Sequence, residues 1–158
     1  MKLKLERPIC FFDLESTSVD TEVARIVQIA GIKIFPDGKR EEKNILINPE
    51  MKITIECTEI HGITDEMVKD KPTFRQYAQG IKDWFYGSDI GGFNSDSYDV
   101  NLLIAEMDRA GITFADWDLN LLDVMKLYRK LYPNTLSEIF KRLFGEELDG
   151  AHNALNDV

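Results

Sequence analysis

Apolar residues run almost unbroken from Ile9 to Leu14, and two acids, Asp13 and Glu15, enter the run at alternate positions. Side chains alternate along a strand, so Asp13 and Glu15 share one face while Phe12 and Leu14 share the other. From Arg25 to Phe35 apolar and mixed residues alternate again. Pro36-Asp37-Gly38-Lys39 then supplies turn chemistry, and the alternation resumes from Arg40 to Ile47. The pattern predicts a hairpin beside the opening strand. Asn48-Pro49 closes it, Ile53 to Thr64 reads as an irregular connection, and a short helix is predicted through Glu66, Met67 and Val68 until Lys71-Pro72 stops it.

The period then changes. Phe74, Tyr77, Ile81, Trp84 and Phe85 recur at helical spacing behind a capping-box pair, Thr73 and Gln76, and Gly87 ends the helix. Asp89 to Phe93 is a short strand whose glycines allow close backbone approach. Val100 to Ala110 repeats at helical spacing before Gly111. Leu119 to Val124 is the candidate last strand and Met125 to Leu131 a helix that Pro133 terminates. Thr135 and Glu138 make a second capping box that opens Leu136 to Phe144, and Gly145 closes it.

With 158 residues, 44% of them hydrophobic, and no shift in composition to mark a linker, one domain spanning residues 1–158 is expected. No apolar run approaches the ~18 residues that a bilayer-spanning helix needs, and Met1 to Arg7 alternates charge where a signal peptide would turn apolar. A soluble, cytoplasmic protein with no membrane partner is the expectation. Cys10 and Cys57 lack metal or redox spacing and read as buried thiols. The net charge of -9 argues against broad electrostatic capture of nucleic acid, although carboxylates gathered around metal ions would reverse the sign locally. Lys126, Arg129, Lys130, Lys141 and Arg142 concentrate positive charge in the last two helices, as a solvated face or as a guide for a polyanion.

Asp13 and Glu15, roughly 7 Å apart on one strand face, repel each other, and burying them unpaired would cost several kcal/mol each. A hard divalent cation answers that problem, and the plain alternative is a strand end with two solvated acids. Asp99 stands at a strand-to-helix junction, where open α/β sheets keep their ligands. The final stretch adds His152 and Asp157. Taken together, Asp13-Leu14-Glu15, Asn94 followed by Tyr98-Asp99, and the closing run from His152 to Asp157 resemble in order and spacing the DnaQ-like 3′-to-5′ exonucleases of the DEDDh type. That pattern is D-x-E, an asparagine with an aromatic-Asp pair, and H-x-A-x-x-D. Ile60-His61-Gly62-Ile63-Thr64 also looks like a segment that lies near the active site in that family, and the resemblance runs from about Ile9 to Val158.

The resemblance implies an α/β, ribonuclease H-like fold with a mixed five-stranded sheet flanked by helices. It further implies two divalent cations, Mg²⁺ or Mn²⁺, held by Asp13, Glu15, Asp99 and Asp157, with Asp13 between them and His152 as general base. An unperturbed imidazole pKa of about 6.5 suits that role. Ser16, Thr17 and His61 would line a slot for the 3′ end of a single strand. DNA is favoured over RNA, without any residue that reads a 2′-hydroxyl, and a DNA polymerase or repair complex is an implied partner. Phe93 and Tyr98 are read as core in preference to base-stacking groups.

The chain departs from the family pattern in three places. Ser16-Thr17-Ser18 follows the first acids where many members carry two threonines and a glycine. The middle block is one residue longer, so Asp96 competes with Asp99, which is preferred for its aromatic neighbour and the helix that follows. One residue follows Asp157, so a shortened and frayed closing helix is expected. The rivals are a haloacid dehalogenase type phosphatase, whose D-x-D-x-T is not matched by Glu15, an exoribonuclease of the same family, and a nucleic-acid-binding or docking module.

Overall fold

The computed structural model describes residues 4–113, 120–132 and 135–145. Its centre is β1 (Ile9–Ser16), which pairs antiparallel with β2 (Ile26–Ile34), itself antiparallel to β3 (Arg40–Leu46). On its other side β1 runs parallel to β4 (Asp89–Gly92), and β4 runs parallel to β5 (Leu121–Asp123). The result is one mixed five-stranded sheet in the order β3-β2-β1-β4-β5. Four helices accompany it: α1 (Ile55–His61), α2 (Asp65–Val68), α3 (Phe74–Phe85) and α4 (Asp99–Arg109). The chain divides into two compact units, Met1–Asp123 with the sheet and these helices, and Val124–Val158 with α5 (Val124–Leu131) and α6 (Leu136–Phe144).

Alternation along β1 sorts its residues as the sequence implies. Cys10, Phe12 and Leu14 are buried in the larger core with Phe74, Ala78, Ile81 and Phe85 of α3 and Val100, Leu103 and Met107 of α4. Phe12 and Phe85 meet edge to face with ring centroids 5.1 Å apart. Burial, only partly offset by the positive charges of Lys33 and Lys43, pushes the Cys10 thiol up to about 12, so it is inert packing. Val27, Ile53, Cys57, Ile63 and Val68 form a second, smaller core. The two cores divide at a bulge: Glu15 pairs with Gln28 but Ser16 with Ile26, which leaves Val27 as the extra residue. A bulge sharpens the local twist and re-aims the side chains beside it, here at the end of β1 that carries the acids.

One element differs from the sequence reading. The stretch read as an irregular connection contains α1, capped by Thr54, whose hydroxyl accepts from Cys57 N–H (3.3 Å), and closed by Gly62 at φ 75°. Only Cys57 on this helix is buried while Ile55 and Ile60 are exposed, so no apolar stripe announces it. Lys33 is buried within β2, and its ammonium donates to Trp84 O (2.6 Å).

A buried ion cluster braces the connection between β1 and β2 against α4. Glu106, 1% exposed, accepts from Arg25 Nε (2.6 Å) and Arg109 Nη1 (2.7 Å) through the same oxygen. The Arg109 guanidinium also donates to Ala24 O, Thr21 O and Glu22 O. In the second unit, Thr135 Oγ1 accepts from Glu138 N–H (3.3 Å), Gly145 ends α6 at φ 74°, and the five basic side chains are exposed. No helix among the described residues is long and apolar enough to cross a membrane.

Candidate active site

The parallel partner of β1 stops short. β4 pairs with Ile9 to Phe11 and then turns away at Gly92, so the following part of β1 has no neighbouring strand on that side. Asp99, the first residue of α4, fills the gap: its Oδ1 accepts from Leu14 N–H (3.2 Å). A carboxylate thereby takes the place of a strand carbonyl, and it lands beside the two acids of β1. Asp13 is exposed, Glu15 half-buried and Asp99 only 8% exposed.

Electrostatics register the convergence. Burial, then the charges of Asp13 and Glu15, push Asp99 up from 3.8 to about 6, against the opposing pull of the Leu14 amide. Burial also raises Glu15; His61 acts in the opposite direction, and Asp13 adds to the rise. Hard carboxylate oxygens on a rigid strand and a helix start are the donor chemistry that Mg²⁺ or Mn²⁺ takes. Among the described residues, no three His, Cys, Asp or Glu side chains already close to a complete metal cage. His152 and Asp157 lie outside the described residues.

Beside Glu15 opens a cleft of ≈ 200 Å³, lined by Leu14, Glu15, Ser16, Val19, Cys57, Ile60, His61 and Tyr98. Val19 and Ile60, 83% and 80% exposed, stand at it as apolar side chains facing water. His61 Nδ1 accepts from Ile63 N–H (3.0 Å), so the proton is on Nε2, which lies 3.2 Å from Ser16 O and donates to it. His61 therefore ties the end of α1 to the end of β1 with both ring nitrogens engaged. Ser16 Oγ lies 2.6 Å from Tyr98 Oη, and both hydroxyls reach Ser18 O. Two protons serve three links, so one hydroxyl donates to Ser18 O while the other donates to its fellow. Burial raises the Tyr98 phenol, which keeps it protonated for this role.

Of the residues expected at the slot, Ser16 and His61 line the cleft and Thr17 does not. Thr17 is fully buried; its hydroxyl accepts from Arg25 N–H (3.0 Å) and points its proton to Met51 Sδ (3.6 Å). Phe93, read as core, is 68% exposed, because the chain turns out of the sheet immediately after Gly92. Tyr98 is half-buried and packs against the larger core. Of the two acids that compete for the middle block, Asp99 is bonded to β1, whereas the Asp96 backbone N–H faces Asp123 Oδ2 (3.4 Å). Asp123 is a residue that sequence reasoning passed over. It is buried at the end of β5 and also accepts from Asn94 N–H (3.0 Å). An acid at the carboxyl end of a parallel strand was the signal available.

The chain is similar to several known proteins. The DNA polymerase III subunit epsilon of Buchnera aphidicola subsp. Schizaphis graminum is 29% identical over 138 residues, covering 84% of this chain and 58% of that protein. The epsilon subunit of Haemophilus influenzae is 31% identical over 125 residues, 75% of this chain and 48% of that protein. A PolC-type DNA polymerase III of Listeria welshimeri is 27% identical over 156 residues, 94% of this chain but 10% of that protein. The chain thus spans little more than half of the relatives it matches, or far less. Among solved structures, exonuclease I superposes with a TM-score of 0.71 at 21% identity, over 97% of this chain and 39% of that one. E. coli exonuclease I in complex with an oligonucleotide gives 0.72 at 20% identity, over 80% and 30%. These likenesses establish the ribonuclease H-like α/β fold. A family model described as exonuclease, of the RNase T type, matches residues 10–158, and the chain belongs to this RNase T/DnaQ-like exonuclease family.

Proposed function

We propose that this chain is a metal-dependent 3′-to-5′ exonuclease that releases nucleoside monophosphates from the 3′ end of single-stranded DNA. The observation that carries the reading is the placement of Asp99 on the free edge of β1, where burial beside Asp13 and Glu15 raises it to about 6. An arrangement that sets three like charges against one another is costly for a fold and is useful to a site that recruits cations. The family typically uses divalent metals. Asp13, Glu15 and Asp99 would hold them together with Asp157, and the oxygen donor set fits Mg²⁺ or Mn²⁺. When bound, such ions supply Lewis-acid charge and make water a competent nucleophile near neutral pH.

The remaining work falls to the chain. His152, by its place in the closing motif, takes the proton from the attacking water. Ser16, His61 and Tyr98 shape the cleft that receives the terminal nucleotide. Val19 and Ile60 offer apolar surface on which a terminal base can stack, a contact that tolerates any base. DNA is favoured as substrate because related polymerase subunits and the oligonucleotide complex of exonuclease I point that way. A replication or repair polymerase is the partner these relatives favour. The family match runs through both compact units, which supports reading them as parts of one exonuclease domain.

The test compares 5′-labelled single-stranded DNA, duplex DNA and RNA, each with Mg²⁺, with Mn²⁺ and with a chelator. Stepwise shortening of the single strand, dependent on metal and slower on duplex, is expected. Intact DNA under every metal condition would overturn the assignment, and faster shortening of RNA would reassign the substrate.

A further inference from the structure

We infer that Asp123, at the end of β5, is a positioning residue that sets where Asp99 meets β1. The inference rests on the preceding reading of Asp99 as a metal-holding carboxylate. Between β4 and α4 the chain makes a tight loop, 93–98, held at its start, its middle and its end. At its start, Asn94 adopts a left-handed backbone, φ 58°, which a residue with a side chain disfavours. Its N–H is held by Asp123 Oδ1 (3.0 Å), and the other carboxylate oxygen takes Asp96 N–H (3.4 Å). In the middle, Ser95 is buried against Gly92, where an added Cβ would lie 2.5 Å from the Ser95 Cβ. At its end, Asp99 Oδ1 takes Leu14 N–H (3.2 Å).

Geometry makes Asp123 the anchor of the set. It pairs with Gly92 across β4 and β5, so it stands on the sheet itself, beside the point where the loop departs. Both of its oxygens are spent on loop amides, and a carboxylate is the side chain of this size that can accept through both. An asparagine in its place would turn one acceptor into a donor facing another donor. Ser97 N–H to Asn94 O (3.1 Å) and Val100 N–H to Ser95 O (3.0 Å) make the loop a stiff unit that leads into α4. A shift at Asn94 or Asp96 is therefore carried to Asp99. A partner that orients a metal-holding group commonly changes metal affinity by about 10- to 100-fold when replaced.

The test uses the whole chain with Asp123→Asn. The amide exchange of Leu14, followed by NMR in chelator, reports the Asp99 contact with neither metal nor substrate present. Exchange at Ala78, buried in α3, reports the fold. Leu14 exchange at least tenfold faster with Ala78 unchanged is the expected result, together with Mn²⁺ binding weakened about tenfold in calorimetry. Unchanged Leu14 exchange would overturn the inference, and so would Leu14 and Ala78 accelerating together, since that is loss of stability alone. Should Asp123→Asn fail to fold, Asp123→Glu keeps the charge and displaces it by one methylene, with the same expectation at Leu14. A wild-type chain that binds no Mn²⁺ would instead overturn the metal reading of Asp99, and the Leu14 measurement would still decide the role of Asp123.

Discussion

Replacing Asp99 by asparagine should make the metal-free protein more stable while it destroys the site. The folded protein holds Asp99 at about 6 against an ordinary value of 3.8. A carboxyl raised in this way is favoured neutral by the fold. Its cost is absent below pH 3.8, accumulates as pH rises through the window from 3.8 to about 6, and is complete above it. At 1.36 kcal/mol for each tenfold change, the full cost is about 3 kcal/mol. Solvent reaches the site past the exposed Asp13 and screens part of it, which leaves about 1–2 kcal/mol. Asparagine keeps the Oδ1 acceptor for Leu14 N–H and removes the charge. In EDTA at pH 7.5 the variant should therefore unfold about 2 to 8 °C above wild type, given about 2–4 °C per kcal/mol for a chain of this size. At pH 4.5 the gain should shrink to about a third. Added Mn²⁺ should raise the wild-type midpoint and move the variant much less, because binding to the folded state is what stabilises it. The assay is thermal denaturation followed by circular dichroism. A variant no more stable than wild type in EDTA at pH 7.5 would show that neither burial nor the charges of Asp13 and Glu15 hold Asp99 at a cost to the fold.

Asp13→Asn should abolish DNA shortening while the circular dichroism spectrum stays native, since Asp13 is exposed; a normal digestion rate would remove it from the site. Mn²⁺ affinity, measured by calorimetry, should fall as pH drops below about 6, because Asp99 must lose its proton to bind; affinity flat from pH 7 to 5 would contradict this. His152→Ala should lower the shortening rate by about 10² or more, with partial recovery at high pH, and an unchanged pH–rate profile would exclude the histidine as base. Glu106→Ala should cost about 3–5 kcal/mol, because it leaves the Arg25 and Arg109 guanidiniums without their shared carboxylate; urea denaturation checks this.

Much of this protein was legible in its sequence because local chemistry settles local structure. The alternation from Ile9 to Ser16 sorts Asp13 and Glu15 onto one face of β1 whatever surrounds them. Thr73 with Gln76 and Thr135 with Glu138 mark the starts of α3 and α6, and Gly145 marks an end, because capping is a contact among near neighbours in sequence. Where the local signal was thin, as in α1 with its single buried residue, the reading failed even though Thr54 and Gly62 were both in view. Tertiary structure alone decided the rest. Asp99 meets β1 because β4 ends early and leaves Leu14 N–H to be satisfied, an outcome of strand lengths that no local pattern encodes. Thr17 withdrew from the cleft because a bulge and Arg25 claimed it, and Asp123 became an anchor because parallel pairing set it beside Gly92. Sequence periodicity specifies which face a side chain takes on its own element, whereas the meeting of side chains from different elements depends on how those elements pack.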